Sequence, residues 1–192
     1  MQPIEVLWIV GILLFGAIGL IRGFLKELGV TTSVCVAMYV ISQWLEKRGV
    51  TDAALNRALE AAPGAFGALA AEDPRRALFR CFLYTFIMVF MVFISYHGET
   101  LTFGGSPPKG LTGIFFNLLI GLLNGYLIIG TIWYYLDKYN YPTRLLGLYQ
   151  EPLSPLAQTL RSLLLFNVIP AEFQEPVLVF FILFLITMRV IR

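Results

Sequence analysis

The sequence is poor in the residues most enzymes work with. It holds one histidine, His97, and two cysteines, Cys35 and Cys81. Only 14% of its residues are charged, against about 25% in a soluble domain. It has no paired carboxylates within an apolar run, no serine–base motif and no phosphate loop, which argues against an enzyme. No cofactor is expected, because a lone histidine at the end of an apolar run reads as a surface or hydrogen-bonded residue. The cysteines belong to no C-x-x-C pattern and read as buried free thiols. A net charge of +2 without a long basic run argues against nucleic acid as a partner.

What the chain has in quantity is apolar residues: 58% of the sequence, with a mean hydropathy of +0.76. They fall in long, continuous and few runs. A β-barrel needs many alternating segments of about ten residues. The pattern therefore predicts an all-α integral membrane protein with the lipid bilayer as its first partner. The N-terminal run lacks a basic flank and a convincing small-x-small site, so it reads as a retained span.

Four transmembrane helices are expected at about 6–21, 28–44, 78–96 and 111–136. A fifth is expected at 177–188, or over 173–191 with Glu175 at the headgroups. One helix from 6 to 44 would be about 58 Å long, nearly twice the hydrocarbon thickness, so a tight hairpin is expected near 22–27. Trp8, and Trp133 with Tyr134 and Tyr135, read as interfacial aromatic anchors. Asp73-Pro74 reads as the cap and first turn of the third span. Arg75, Arg76 and Arg80 cluster at its entrance and read as lipid-headgroup anchors. The run from Gly104 to Pro108 breaks any helix, and Pro170 and Pro176 bracket another break.

Two interfacial amphipathic helices complete the pattern. One lies within 45–71, capped by Thr51 and ended by Pro63-Gly64, with Ala54, Leu55, Ala58, Leu59 and Ala62 on one face. The other covers 155–166 behind Ser154-Pro155, with Leu156, Leu160, Leu163 and Leu164 on one face.

One stretch occurs twice. Gly19-Leu20-Ile21-Arg22-Gly23-Phe24-Leu25 returns, 102 positions on, as Gly121-Leu122-Leu123-Asn124-Gly125-Tyr126-Leu127. Gly-x-x-x-Gly on a membrane helix lets a second backbone come close. Gly16, Gly19, Gly23, Gly121 and Gly125 are thus the expected helix-packing residues. They suggest that spans one and four pack on each other or on equivalent neighbours. The first copy reads as a charged turn at the membrane surface and the second as a neutral one within a span. Arg22 and Lys26 share a helix face, with Glu27 as a nearby partner for Arg22. Asn117 and Asn124, two turns apart, line one face and suit hydrogen bonds between helices. Arg22, Lys26, Glu27, Asn117 and Asn124 are the polar functional candidates.

Ile21-Arg22-Gly23-Phe24-Leu25-Lys26-Glu27 resembles the signature of the colicin V production protein (CvpA) family. Gly121-Leu122-Leu123-Asn124-Gly125 is similar to that family's later Gly-x-x-Arg-Gly, with asparagine in the arginine position. The segment 152–163 is similar to the family's amphipathic segment after the fourth span. The resemblance covers 1–166 and leaves 167–192 as an additional C-terminal hydrophobic helix. It implies a multi-pass, non-enzymatic protein of the bacterial inner membrane. Such a protein would act through helix packing and partners, either other membrane proteins or copies of itself, in bacteriocin export or envelope homeostasis. It also implies that the Arg22–Glu27 turn is cytoplasmic. Basic residues favour the reverse, since Arg22, Lys26, Lys109, Arg189 and Arg192 on that side are outnumbered by those opposite. Two other readings stay open: a small transporter or channel built on the two repeats, and an accessory subunit of a respiratory or photosynthetic complex.

Overall fold

The computed structural model describes residues 3–61, 73–98, 103, 109–143 and 153–190. Its helices are α1 (Pro3–Arg22), α2 (Phe24–Tyr39, continued by a π-helical stretch Val40–Lys47), α3 (Val50–Ala61), α4 (Pro74–His97), α5 (Gly110–Lys138), α6 (Pro155–Ser162), α7 (Leu165–Val168) and α8 (Ala171–Val190). There is no strand among the described residues, and five helices are long and apolar enough to cross a membrane: α1, α2, α4, α5 and α8. The chain is an all-α, multi-pass membrane protein. The breaks expected at Pro63-Gly64 and from Gly104 to Pro108, and residues Ala62, Arg144 and Arg192, lie outside the described residues.

The span with the most polar side chains stands in the middle. α2 buries Thr31, Thr32 and Ser33 beside Val34, Met38 and Ile41. Its apolar residues meet Tyr84 and Met88 of α4 and Leu127 and Tyr135 of α5 in the main core. The outer helices turn large apolar residues outward, among them Leu13 and Leu14 of α1, Phe82 and Phe86 of α4, and Phe180 and Leu183 of α8. Lipid tails are as apolar as leucine, so nothing drives leucine inward there. Small and hydrogen-bonding residues occupy the contacts instead.

Three hydrogen bonds join residues 93 positions apart on α2 and α5: Phe24 with Asn117, Thr31 with Asn124, and Glu46 with Tyr139. A constant offset means that these two helices run parallel and in register over their length. α1 runs the other way on α5, because Gly19 faces Gly121 while Gly11 faces Ile129. α4 and α8 are antiparallel to α2, as Tyr96 meets Glu27 and Lys47 meets Glu175. One side of the bundle therefore holds the α1–α2 hairpin, and the other holds α3, α6 and α7.

The hairpin turns on a single residue. Gly23 has φ +87° and ψ 157°, and a Cβ built there would meet nothing within 4 Å. Gly23 is therefore a conformational residue and not the packing glycine expected from its motif. Only glycine enters this backbone region easily. Gly23→Ala should cost about 1–3 kcal/mol from strain alone. Thermal unfolding in detergent would record it as a lower midpoint while the α1–α5 contact persists.

The other four glycines do pack. A Cβ on Gly19 would fall 2.8 Å from the Gly121 Cα and against the Asn117 carbonyl. One on Gly121 would fall 3.0 Å from the Cα atoms of Gly16 and Gly19, and one on Gly125 would fall 2.8 Å from the Ile12 Cα. Gly16 faces the movable end of Leu122 instead. Spans one and four thus meet backbone to backbone.

Several local expectations change. α3 starts at Val50, with the Gly49 carbonyl accepting from the Ala53 N–H at 3.0 Å. Thr51 is buried near the Tyr84 hydroxyl rather than capping, and Ala54 and Ala58 are exposed. The expected helix 155–166 stops at Ser162. Asn167 donates to the Arg161 carbonyl and Tyr126 to the Leu163 carbonyl, which releases the chain from the helix there. Leu164 is buried, while Leu156 and Leu163 are exposed. α8 starts directly after Pro170 and contains Pro176. Pro170 thus precedes the helix, and Pro176, its sixth residue, lies inside it without ending it. Trp133 and Tyr135 are buried, and Trp8 packs edge-on to Tyr126 and Trp133. Trp133 and Tyr135 therefore fill space between helices and do not reach the lipid, whereas Trp8 is half-buried. The caps at Asp73 and Ser154 are as expected, accepting from the N–H groups of Arg75 and Ala157.

Candidate functional site

At the hairpin the helix restarts at Phe24, whose free N–H is taken by Asn117 Oδ1 at 2.7 Å. The first turn of α2 then carries Glu27 inward, and its side chain is fully buried. Tyr96 Oη and Asn124 Nδ2 both donate to Glu27 Oε2 at 2.9 Å. Asn124 Nδ2 also lies 3.0 Å from the Glu27 carbonyl, and Thr31 Oγ1 donates to Asn124 Oδ1 at 2.7 Å. Arg22, the last residue of α1, places Nη1 3.5 Å from Glu27 Oε1. Its guanidinium lies over the Tyr96 ring, 4.3 Å from the centroid, a cation–π contact. One carboxylate on α2 thereby ties together α1, α4 and α5.

The two oxygens of Glu27 differ. Oε2 has two donors, whereas Oε1 and the facing Arg22 Nη1 have no hydrogen bond, only their ion pair. An ionisable group at membrane depth needs such partners, since hydrocarbon solvates no charge. The cluster can hold charge, fix the hairpin angle and lock three contacts at once.

The sequence candidates divide accordingly. Arg22, Glu27, Asn117 and Asn124 come together, while Lys26 is exposed and outside the cluster. The second glycine motif is not separate from the charged turn, because its Asn124 binds Glu27 directly. Glu27 is fully buried within the protein, one turn into α2 from the hairpin. Sequence reasoning missed Tyr96 and Thr31. Thr31 was within reach, standing one helical turn after Glu27 on the same face. Tyr96 lies 69 positions from Glu27, and no local signal links them.

Arg75, Arg76 and Arg80 lie at the opposite side, in the first turns of α4. Arg80 grips Asp52 of α3, with Nη2 2.5 Å from Oδ1. Arg75 binds the cap residue Asp73, and its side chain and N–H hold that carboxyl below the usual carboxylate range. Other ion pairs on this side are Lys138 with Glu46, Lys47 with Glu175, and Arg161 with Asp137. Glu5, in the first turn of α1, is also fully buried and accepts from the Ser154 hydroxyl, which fastens the start of α6 to α1. The sequence reading began the first span one residue later and passed over it.

Among the described residues no cluster of histidine, cysteine, aspartate and glutamate could hold a metal ion. Neither a family model, nor a curated protein, nor a solved structure matches the chain.

Proposed function

We propose that the chain is a CvpA-like, non-enzymatic protein of the bacterial inner membrane. It gathers partner membrane proteins, or copies of itself, in bacteriocin export or envelope maintenance. The observation that supports this best is how Arg22, Gly23 and Glu27 are used. These residues carry the resemblance, and each serves the architecture: Gly23 makes the turn, and Arg22 and Glu27 close the four-helix cluster. Polar groups tied to one another in this way suit a rigid scaffold more than a solute path. A transporter reading is favoured by a buried carboxylate oxygen, Glu27 Oε1, that accepts no hydrogen bond.

Purification from the membrane in mild detergent, followed by mass analysis, tests the scaffold. The expected result is a complex larger than the single chain, lost in Gly125→Leu. Proteoliposomes separate the readings further. Solute flux at the level of empty vesicles is expected. Flux that disappears in Asn124→Ala would establish the transporter instead.

A further inference from the structure

The antiparallel course of α8 fixes the end of the bundle to which each described basic residue belongs. The hairpin side holds Arg22, Lys26, Lys109 and Arg189. The other eight described arginines and lysines stand on the opposite side, at the ends of α2 and α5, in α3 and α6, and in the first turns of α4. Arg22 hardly counts toward its side, because it is turned into the bundle and paired with the buried Glu27. Several cations on the opposite side do meet acids, as in Lys47–Glu175, Arg80–Asp52 and Lys138–Glu46. Acids contribute little to how a membrane protein is oriented, whereas basic residues in connectors shorter than about 60 residues decide it. The stretches 48–73 and 139–170 are both that short.

Two cations on this opposite side make no ion pair among the described residues. Arg48, exposed at the end of α2, places its guanidinium 4.6 Å from the centroid of the Trp44 ring. Trp44 is itself half exposed. A tryptophan and an arginine together at the end of a span suit the headgroup level, where a ring has one apolar and one wet side. Arg57 is exposed in α3, and its neighbours one helical turn away, Ala54 and Ala61, are small and exposed as well. Nothing large on that face stands between Arg57 and a charged surface.

We propose that the α3–α6 side is the cytoplasmic one, with Arg48 and Arg57 on the anionic headgroups of that leaflet. The hairpin and its buried cluster then lie toward the outer side of the membrane. The cytoplasmic leaflet carries the negative surface potential that attracts basic residues beside a span. This orientation is the reverse of the one the family resemblance implies, and it rests on where the charges stand and not on the proposed function.

Cysteine labelling in spheroplasts tests the orientation, in a chain whose Cys35 and Cys81 are replaced by serine. Thr112→Cys, exposed in the first turn of α5, should react with a membrane-impermeant maleimide in intact spheroplasts. Asn56→Cys, exposed in α3, should react only after lysis. Asn56→Cys labelled before lysis, or Thr112→Cys unlabelled until then, would overturn it. Nanodiscs of equimolar phosphatidylglycerol and phosphatidylcholine test the headgroup contact. The lipids that leave with the wild type in native mass spectrometry should be enriched in phosphatidylglycerol, and Arg48→Gln combined with Arg57→Gln should lose most of that enrichment. Equal enrichment in both chains would overturn the role of these two residues.

Discussion

Arg22→Met should destabilise the protein by about 3 kcal/mol, the lower end of the cost of removing one partner of a buried ion pair. The lower end applies because the Arg22 side chain keeps 22% exposure while Glu27 has none. For a chain of this size the thermal midpoint in detergent should fall on the order of 6–12 °C. Two terms add up in this loss. Glu27 is left without its cation in a place without solvent, and Tyr96 loses the cation over its ring. Tyr96 and Asn124 still serve Oε2, so the hairpin should weaken without coming apart. Removing the charge on both sides should restore most of the loss. Arg22→Met combined with Glu27→Leu leaves no buried ion to compensate, and such replacements are often neutral or better. The double mutant is thus expected to be more stable than Arg22→Met alone, with strong coupling between the two positions. Additive losses at Arg22 and Glu27 would mean that the pair is not closed in the membrane.

Gly121→Ala should have the other large effect, about 1–3 kcal/mol or more from overpacking. The added methyl meets Gly16 Cα and Gly19 Cα at 3.0 Å and the Phe15 carbonyl, all of them backbone. Backbone on two sides cannot rotate away, so α1 has to retreat from α5. That retreat carries Arg22 from Glu27 and opens the cluster as well. Gly16→Ala is the informative contrast. Its methyl would meet the end of Leu122, a side chain that can change rotamer. Its loss of thermal stability should be clearly smaller. Equal losses would show that the seam is looser than a backbone-to-backbone contact.

Features set by a residue's immediate neighbours were legible in the sequence. The spans follow from unbroken apolar runs, and the caps at Asp73 and Ser154 from the proline that follows each. Gly121 and Gly125 announce a close contact because nothing else explains two glycines one turn apart in an apolar helix. Asn117 and Asn124 announce hydrogen bonds for a similar reason. What failed needed a partner far along the chain. Gly19-x-x-x-Gly23 looks like a packing motif, but the helix ends between its glycines and the real surface is Gly16 and Gly19. Trp133 and Tyr135 look like interface anchors because they stand near a span's end. Trp133 is buried because α1 and α6 close over it, and Tyr135 because α2, α4 and α7 do. Glu27 looks like a surface charge because Arg22 and Lys26 flank it. Its burial depends on Tyr96 and Asn124, which arrive from other helices.

The hairpin and its buried cluster depend on α1 lying antiparallel on α5 with the repeated glycines between them. Without that contact Arg22 would not reach Glu27. Disulfide formation in native membranes tests it most directly, in a chain whose Cys35 and Cys81 are replaced by serine or alanine. Gly16→Cys with Leu122→Cys should bridge readily, because the Leu122 side chain faces Gly16 and its removal leaves room. Leu14→Cys with Leu122→Cys should not bridge, because Leu14 is exposed on α1. A bridge at 14–122 as efficient as that at 16–122, or no bridge at 16–122, would contradict the seam and the cluster built on it.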